Sequence, residues 1–191
     1  HPPALHPFPA LRPSGPAPYL SYAESFIPNS GTDSQNRTFD PGKAHQYEVG
    51  VKYQPDSNLL MTLAAFEITK SNVLTNELVD GRVTGYQVAS GEVRSRGIEW
   101  ETQAKLTDNL DALASYSWTD TEITKSNNGD EGKQQANVPK NMASAWLNYG
   151  FHQGLFDGLM LSTGVRYVGS MYGDNANTIQ VKNFTLVDAG A

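Results

Sequence analysis

The stretch AHQYEVGVKYQ, Ala44–Gln54, decides the fold. In extended chain, successive side chains point to opposite faces, so residues two apart share a face. Tyr47, Val49, Val51 and Tyr53 fall on one side; Gln46, Glu48, Lys52 and Gln54 fall on the other, with Gly50 between them. That is a strand with one apolar face and one wet face. Working outward, the same period recurs. Ile98, Trp100, Ala104 and Leu106 alternate with Glu99, Glu101, Gln103 and Lys105 across Arg94–Leu106. Asp111–Ile123, Asn141–Phe151 and Leu159–Gly169 repeat the pattern, although Trp146 interrupts the wet face of its segment. Tyr19–Phe26, Leu59–Thr69 and Lys182–Ala191 are less regular, and together these segments make eight candidate strands with no amphipathic helix.

Several segments run 11 to 13 residues, whereas strands of soluble domains cluster at about 5 to 6. Tilted strands that cross a bilayer need about 9 to 11. Three connections are short and carry turn chemistry: Pro55–Asn58, Thr107–Asn109 and His152–Gly158. The other four are long and polar: Ile27–Lys43, Lys70–Val93, Thr124–Lys140 and Ser170–Val181. In an up-and-down sheet these alternate, which places every long loop at one edge and every short turn at the other, as in outer-membrane barrels. Aromatic residues tip the apolar faces (Tyr47, Tyr53, Trp100, Tyr116, Trp118, Tyr149, Phe151, Tyr167), as expected where lipid meets headgroups. A soluble β-sandwich prefers shorter strands and connections of mixed length. The expected fold is therefore all-β, an antiparallel transmembrane β-barrel segment. Its inner face is too hydrated for a closed eight-stranded barrel, whose interior is filled by packed side chains, and the strand pattern still runs at Ala191. The chain reads as a piece of a larger barrel.

Composition narrows the function classes. The 191 residues carry 14 basic and 20 acidic side chains, a formal charge of −6, which argues against a nucleic-acid partner. With no cysteine there is no disulfide scaffold, thiolate metal site or cysteine nucleophile. No apolar run is long enough for a spanning helix, and 38% hydrophobic content suits a barrel whose strands are half apolar. His1–Pro18 holds seven of the 11 prolines. It reads as a Pro-rich tail, disordered or foreign to the domain, that precedes a barrel region at 19–191.

Specific strings then carry a resemblance. YLSYAESFIPNSG (Tyr19–Gly31), FDPGKAHQYEVGVKYQP (Phe39–Pro55), AAFEITKSNVLT (Ala64–Thr75), GEVRSRGIEWE (Gly91–Glu101), ASYSWTDTEIT (Ala114–Thr124), NVPKNMASAWLNY (Asn137–Tyr149) and GLMLSTGVRYVGSMYGDNANT (Gly158–Thr178) occur in this order. They resemble the barrel region of TonB-dependent siderophore receptors, the ferrichrome-type branch in particular. The resemblance implies about eight strands of a plugged barrel of about 22, set in the bacterial outer membrane. It also implies a ferric siderophore as ligand, outer-membrane lipid around the wall, and energy from the TonB-ExbB-ExbD complex through an N-terminal region that this chain lacks. Iron arrives with the siderophore, so no cofactor of the protein's own is expected.

No catalytic constellation is present: there is no phosphate-cradling Gly motif, Gly-x-Ser-x-Gly elbow or His-Glu-x-x-His. The four histidines are scattered, and no metal site is expected from them. Tyr86, Gln87, Trp118, Tyr172 and Asn175 are the candidate ligand-binding residues, because aromatic platforms with a few polar groups suit a bulky amphipathic ligand. Arg94 and Arg96 are expected as lumen or loop-end polar residues, contacting an anionic ligand or lipopolysaccharide or else pairing with wall carboxylates such as Glu99 and Glu101. Gly97 is read as relieving a kink. Glu48, Glu99 and Glu101 suit a hydrated lumen or contact with a plug. Two other readings stay open at this point: a passive porin-like or adhesin barrel, and a soluble extracellular β-domain that binds through its long loops.

A barrel piece exposes unpaired strand edges and a lipid-facing surface. Expressed without detergent, Tyr19–Ala191 is therefore expected to aggregate; a soluble monomer with a sharp melting transition would overturn the barrel reading.

Overall fold

The computed structural model describes residues 15–191. Their regular elements are Pro16–Ile27 (β1), Gly42–Asp56 (β2), Leu59–Val79 (β3), Arg82–Lys105 (β4), Leu110–Lys125 (β5), Asn141–Gly150 (β6), a 3-10 turn at Gly154–Phe156, Met160–Val168 (β7), Met171–Tyr172 (β8), Gln180–Val181 (β9) and Phe184–Gly190 (β10). Strands β1 to β7 and then β10 form one antiparallel sheet in sequence order, while β8 and β9 make a separate two-stranded ribbon. The sheet is open, with β1 and β10 as its edges.

The sheet is a single layer. Among the described residues the only buried hydrophobic side chains are Ala64, Val93 and Ile123, and no large side chain is fully buried. A soluble domain covers its apolar sheet face with a second layer; here that face stays bare. Direct cross-strand partners share a face, so the register defines the two surfaces. One row joins Leu20, Val49, Ala65, Ile98 and Trp118; the next joins Val51, Leu63, Trp100, Tyr116, Ala143 and Tyr167. These rows are the apolar band. On the opposite face one row joins Lys52, Thr62, Glu101, Ser115, Ser144 and Arg166, the wall's wet side.

Glycines on the wet side receive aromatic rings from the neighbouring strand. Tyr19 lies opposite Gly50, Phe66 opposite Gly97 and Trp146 opposite Gly164. A Cβ at Gly50 would stand 2.5 Å from the Tyr19 ring, at Gly97 2.8 Å from Phe66 and at Gly164 2.4 Å from Trp146. Such pairs restore side-chain packing at a position that has no side chain of its own. They explain why Trp146 interrupts a wet face. They also replace the kink expected at Gly97, since pairing with β5 continues in register through that residue.

Two sequence expectations are corrected. Lys70–Val93 is not a loop. β3 and β4 continue to a two-residue turn, Asp80-Gly81, where φ is 49° and 74°, the left-handed geometry of a type I′ hairpin. Beyond the lipid band both faces are wet, so the alternation disappears while the backbone ladder persists. Register shifts between Ser71 and Val73 and between Asn76 and Leu78 mark bulges along this arm. The second correction concerns the amino-terminal boundary. Pro16, Ala17 and Pro18 belong to β1 and pair with Tyr53, Lys52 and Val51, at the start of the strand, where proline is tolerated. Residues 1–14, the rest of the Pro-rich segment, lie outside the described residues.

The ring contacts give a direct test. Gly164→Ala is expected to destabilise the full-length protein by about 1–3 kcal/mol through overpacking, with most of the loss recovered by adding Trp146→Leu. Equilibrium denaturation in detergent measures both, and additive effects of the two changes would overturn the pairing.

Candidate functional site

Two regions combine chemistry with position: the wet wall and the rim formed by the long connections. On the wall, the Tyr19 hydroxyl donates to Glu48 Oε1 at 2.7 Å, and Gln46 Nε2 donates to Glu48 Oε2 at 3.0 Å. Lys52 Nζ stands 5.5 Å from the centre of the Tyr19 ring. Glu99 and Glu101 follow on β4, on this same face. Towards β10, Ser115 and Ser144 share a hydrogen bond of 2.8 Å, Ser162 donates to Asn148 at 2.8 Å, and Arg166 lies 3.5 Å from Asp188. The result is a polar surface, acidic near β2 and β4, made of groups that bind water and hydrogen-bond partners without any nucleophile–base pair.

Arg94 and Arg96 point to the other face. They share it with Ile98 and Trp100, on the long-connection side of the apolar band. Arg94 Nη2 meets Glu122 Oε2 at 2.5 Å; Arg96 Nη2 meets Asp120 Oδ2 at 3.2 Å, with Lys140 Nζ 3.8 Å from the other oxygen of Asp120. Their partners are therefore acids of β5 and not Glu99 or Glu101. Half-exposed pairs of this kind contribute roughly 0–1 kcal/mol each. Trp118 also lies on the apolar face, opposite Ile98, where it suits the aromatic belt and is turned away from Glu99.

The rim is held by asparagines. Asn29 Nδ2 donates to the carbonyls of Asp40 and Asn72 at 2.8 and 2.9 Å, and Asn72 Nδ2 donates to the Pro41 carbonyl at 2.9 Å. Asn72, at φ 57°, is the bulged residue of β3. Further along, the Asn76 N–H donates to Asn128 Oδ1 at 2.9 Å. Asn177 copies a backbone bridge: its Oδ1 accepts the Gln134 N–H at 2.9 Å and its Nδ2 donates to the Gln134 carbonyl at 2.8 Å. Asn175 Oδ1 accepts the Ala136 N–H at 2.8 Å, and the Tyr172 carbonyl accepts the Asn137 N–H at 2.7 Å. Asn175 thus joins two connections. Tyr86 and Gln87, expected at a loop base, stand exposed on the upper arm of β4, and Tyr172 is half-buried in β8. The fastening role of Asn29, Asn72, Asn128 and Asn177 was not legible in the sequence; for Asn72 and Asn177, both at positive φ, asparagine's tolerance of that geometry was the available signal.

Two rim carboxylates are tuned by local donors. The Ile179 N–H and the Thr178 hydroxyl and N–H converge on Asp174, holding its carboxyl below the ordinary value of 3.8. At Asp33 the Arg37 N–H, followed by the Arg37 side chain, has the same effect. No three His, Cys, Asp or Glu side chains converge as a metal site among the described residues.

The family described as TonB dependent receptor-like, beta-barrel matches residues 6–191. The chain belongs to the TonB-dependent receptor β-barrel family. It is 44% identical over 177 residues to the ferrichrome outer membrane transporter/phage receptor of Escherichia coli K12, a match that covers 92% of this chain and 23% of the relative. It is 38% identical over 176 residues to the ferrioxamine B receptor of Salmonella typhimurium, covering 92% and 24%. Among solved structures, the siderophore receptor PiuA of Acinetobacter baumannii superposes with a TM-score of 0.74 at 30% identity, over 92% of this chain and 27% of that one. This receptor-barrel chain thus spans about a quarter of the length of the curated relatives it matches. Membership places it in the outer membrane and in a family of receptor barrels rather than enzymes.

Asp174 supplies a pH test. Because its folded pKa is depressed, its contribution to the turn is fully present above 3.8 and is lost as pH falls through the lower folded value. The Thr178 and Ile179 amide resonances are expected to stay constant from pH 7 to pH 5 and to shift towards random-coil positions only below 3.8. Asp174→Asn should show the loosened turn at neutral pH.

Proposed function

We propose that this chain is a wall sector of a receptor that binds ferric siderophores of the hydroxamate, ferrichrome-like class and imports them with energy from the TonB-ExbB-ExbD complex. The observation that carries this reading is the 44% identity to a ferrichrome transporter over 92% of the chain, alongside the 38% identity to a ferrioxamine B receptor. Charge on the rim supports the same ligand class. The segments 28–41, 70–93, 126–140 and 169–183 hold eight carboxylates against six Lys and Arg. A tris-hydroxamate ferric complex is electroneutral, whereas a tris-catecholate complex is trianionic and is favoured by a strongly basic mouth.

Tyr86, Gln87 and Tyr172 are the members of the expected ligand set that we assign to contact with the siderophore. They stand on the loop side of the sheet, and an aromatic platform flanked by amides matches a ligand with apolar and carbonyl surfaces. Trp118 is assigned to lipid and Asn175 to the fastening of the rim. Glu48, Glu99 and Glu101 form the acidic part of the wet wall, which we assign to a hydrated lumen or a facing plug. Iron enters as cargo within the siderophore.

Binding to the full-length receptor tests the reading. Ferrichrome or ferrioxamine B should quench its intrinsic fluorescence at lower concentration than a ferric tris-catecholate, and Tyr86→Ala with Tyr172→Ala should weaken hydroxamate binding about tenfold or more, the scale of one lost stacking or hydrogen-bonding contact. Preference for the catecholate would overturn the ligand class. Unchanged affinity in the double variant would remove the two tyrosines from the site.

A further inference from the structure

The three turns at the short-connection edge are chemically unlike one another. Between β2 and β3 the chain turns through Ser57 and Asn58, with the Asn58 N–H donating to Asp56 Oδ1 at 2.7 Å. Between β4 and β5, Thr107 Oγ1 accepts the Asn109 N–H at 3.2 Å. The tips of both are polar and suit water, although Leu106 at the base of the second is 56% exposed. The third, between β6 and β7, presents Leu155 at 93% exposure and Phe156 at 56%.

This apolar tip is continuous with the lipid-facing band. Tyr149 lies on the apolar face, level with Leu110 and Leu161. Its ring meets Phe151 edge-on at 4.9 Å, and Phe151 in turn meets Phe156 at 5.8 Å. The aromatic series therefore leads from the band down to the tip on the outward side. Strands β6 and β7 are interior strands, flanked by β5 and β10; on the β5 side the neighbouring turn reaches Gly150 through Asn109 and leaves the tip uncovered. The returning limb also satisfies its backbone: the Asp157 N–H donates to the Gly154 carbonyl, the Gly158 N–H to Phe151 and the Leu159 N–H to Phe156, at 3.3, 2.9 and 2.9 Å. Pairing on that limb lowers the cost of bringing it against a low-dielectric layer.

We propose that the Gly154–Phe156 turn is a membrane-interface anchor, with Leu155 and Phe156 inserted into the headgroup–acyl boundary of the leaflet at the short-turn edge. An apolar tip with polar flanks, here His152, Gln153 and Asp157, is the composition that partitions to this boundary. The occupant is lipid, because the exposed surface extends the band that lipid already covers. The inference rests on the membrane-barrel reading and is independent of the siderophore's identity.

The chain has no cysteine, so single probes are clean within it. In the full-length receptor, stripped of any other cysteine and reconstituted into phosphatidylethanolamine/phosphatidylglycerol vesicles, Leu155→Cys and Phe156→Cys are labelled with an environment-sensitive fluorophore. Ser57→Cys serves as the polar-turn reference and Val165→Cys as the band reference. Nitroxide lipids are expected to quench the probe at 155 and 156, with emission shifted to the blue of Ser57 and protection from aqueous iodide. If 155 and 156 behave like Ser57 while Val165 is quenched, the anchor is overturned and the barrel stands. If Val165 is not quenched, the barrel reading fails with it.

Discussion

In a layer with lipid on one side, a strand's N–H and C=O groups have no water to fall back on, so the neighbouring strand must satisfy them. The antiparallel ladder from β1 through β10 meets that demand across eight strands with few interruptions. Every other feature of the chain is subordinate to it. The sheet has no second layer to pack against, so hydrophobic burial between layers, the usual source of stability in soluble domains, is nearly absent within the described residues. What replaces it is contact between adjacent strands and the apolar band's transfer into lipid. Where a side chain would obstruct such contact, glycine stands instead: Gly50, Gly97 and Gly164 each receive a ring from the strand beside them.

The two faces then take different work without competing. On the outer face, rows such as Val49, Ala65, Ile98 and Trp118 meet lipid, and the ion pairs of Arg94 and Arg96 follow where the band ends. Charges there are half-exposed and mutually neutralised, which suits the boundary between lipid and water. On the opposite face, serines, amides and the carboxylates of Glu48, Glu99 and Glu101 make a continuous polar surface. A one-residue slip in register would exchange the two faces on a strand, and the unbroken pairing through Gly97 and Trp118 leaves no room for it.

Above the membrane a different device takes over. The long connections have no apolar side to bury, and they are fixed by amide side chains that imitate backbone. Asn177 grips both peptide groups of Gln134, Asn29 and Asn72 tie the first connection to the bulge of β3, and Asn128 reaches Asn76. Asparagine serves well here because its amide both donates and accepts and, at Asn72 and Asn177, because it tolerates positive φ. Tyr86 and Tyr172, the tyrosines proposed to contact the ligand, stand on the loop side that this rim orders.

The sequence by itself determined the fold class, the faces of the strands and the short turns gathered at one edge. These are properties of a period-two pattern that any single strand carries. The recurring strings also carried the family resemblance. Only the tertiary structure decided that Lys70–Val93 is a hairpin arm, because its polar composition resembles a loop's once neither face meets lipid; the Asp80-Gly81 pair was the one local sign of the turn. Tertiary structure likewise decided that Pro16–Pro18 join β1, that Arg94 and Arg96 face outward beside Glu122 and Asp120, and that Asn175 fastens the rim. The reason is common to all of them. Each depends on a partner far away in sequence, as with Thr75 and Ser90, 15 residues apart, or Ala136 and Asn175, 39 apart, and a local pattern holds no record of that partner.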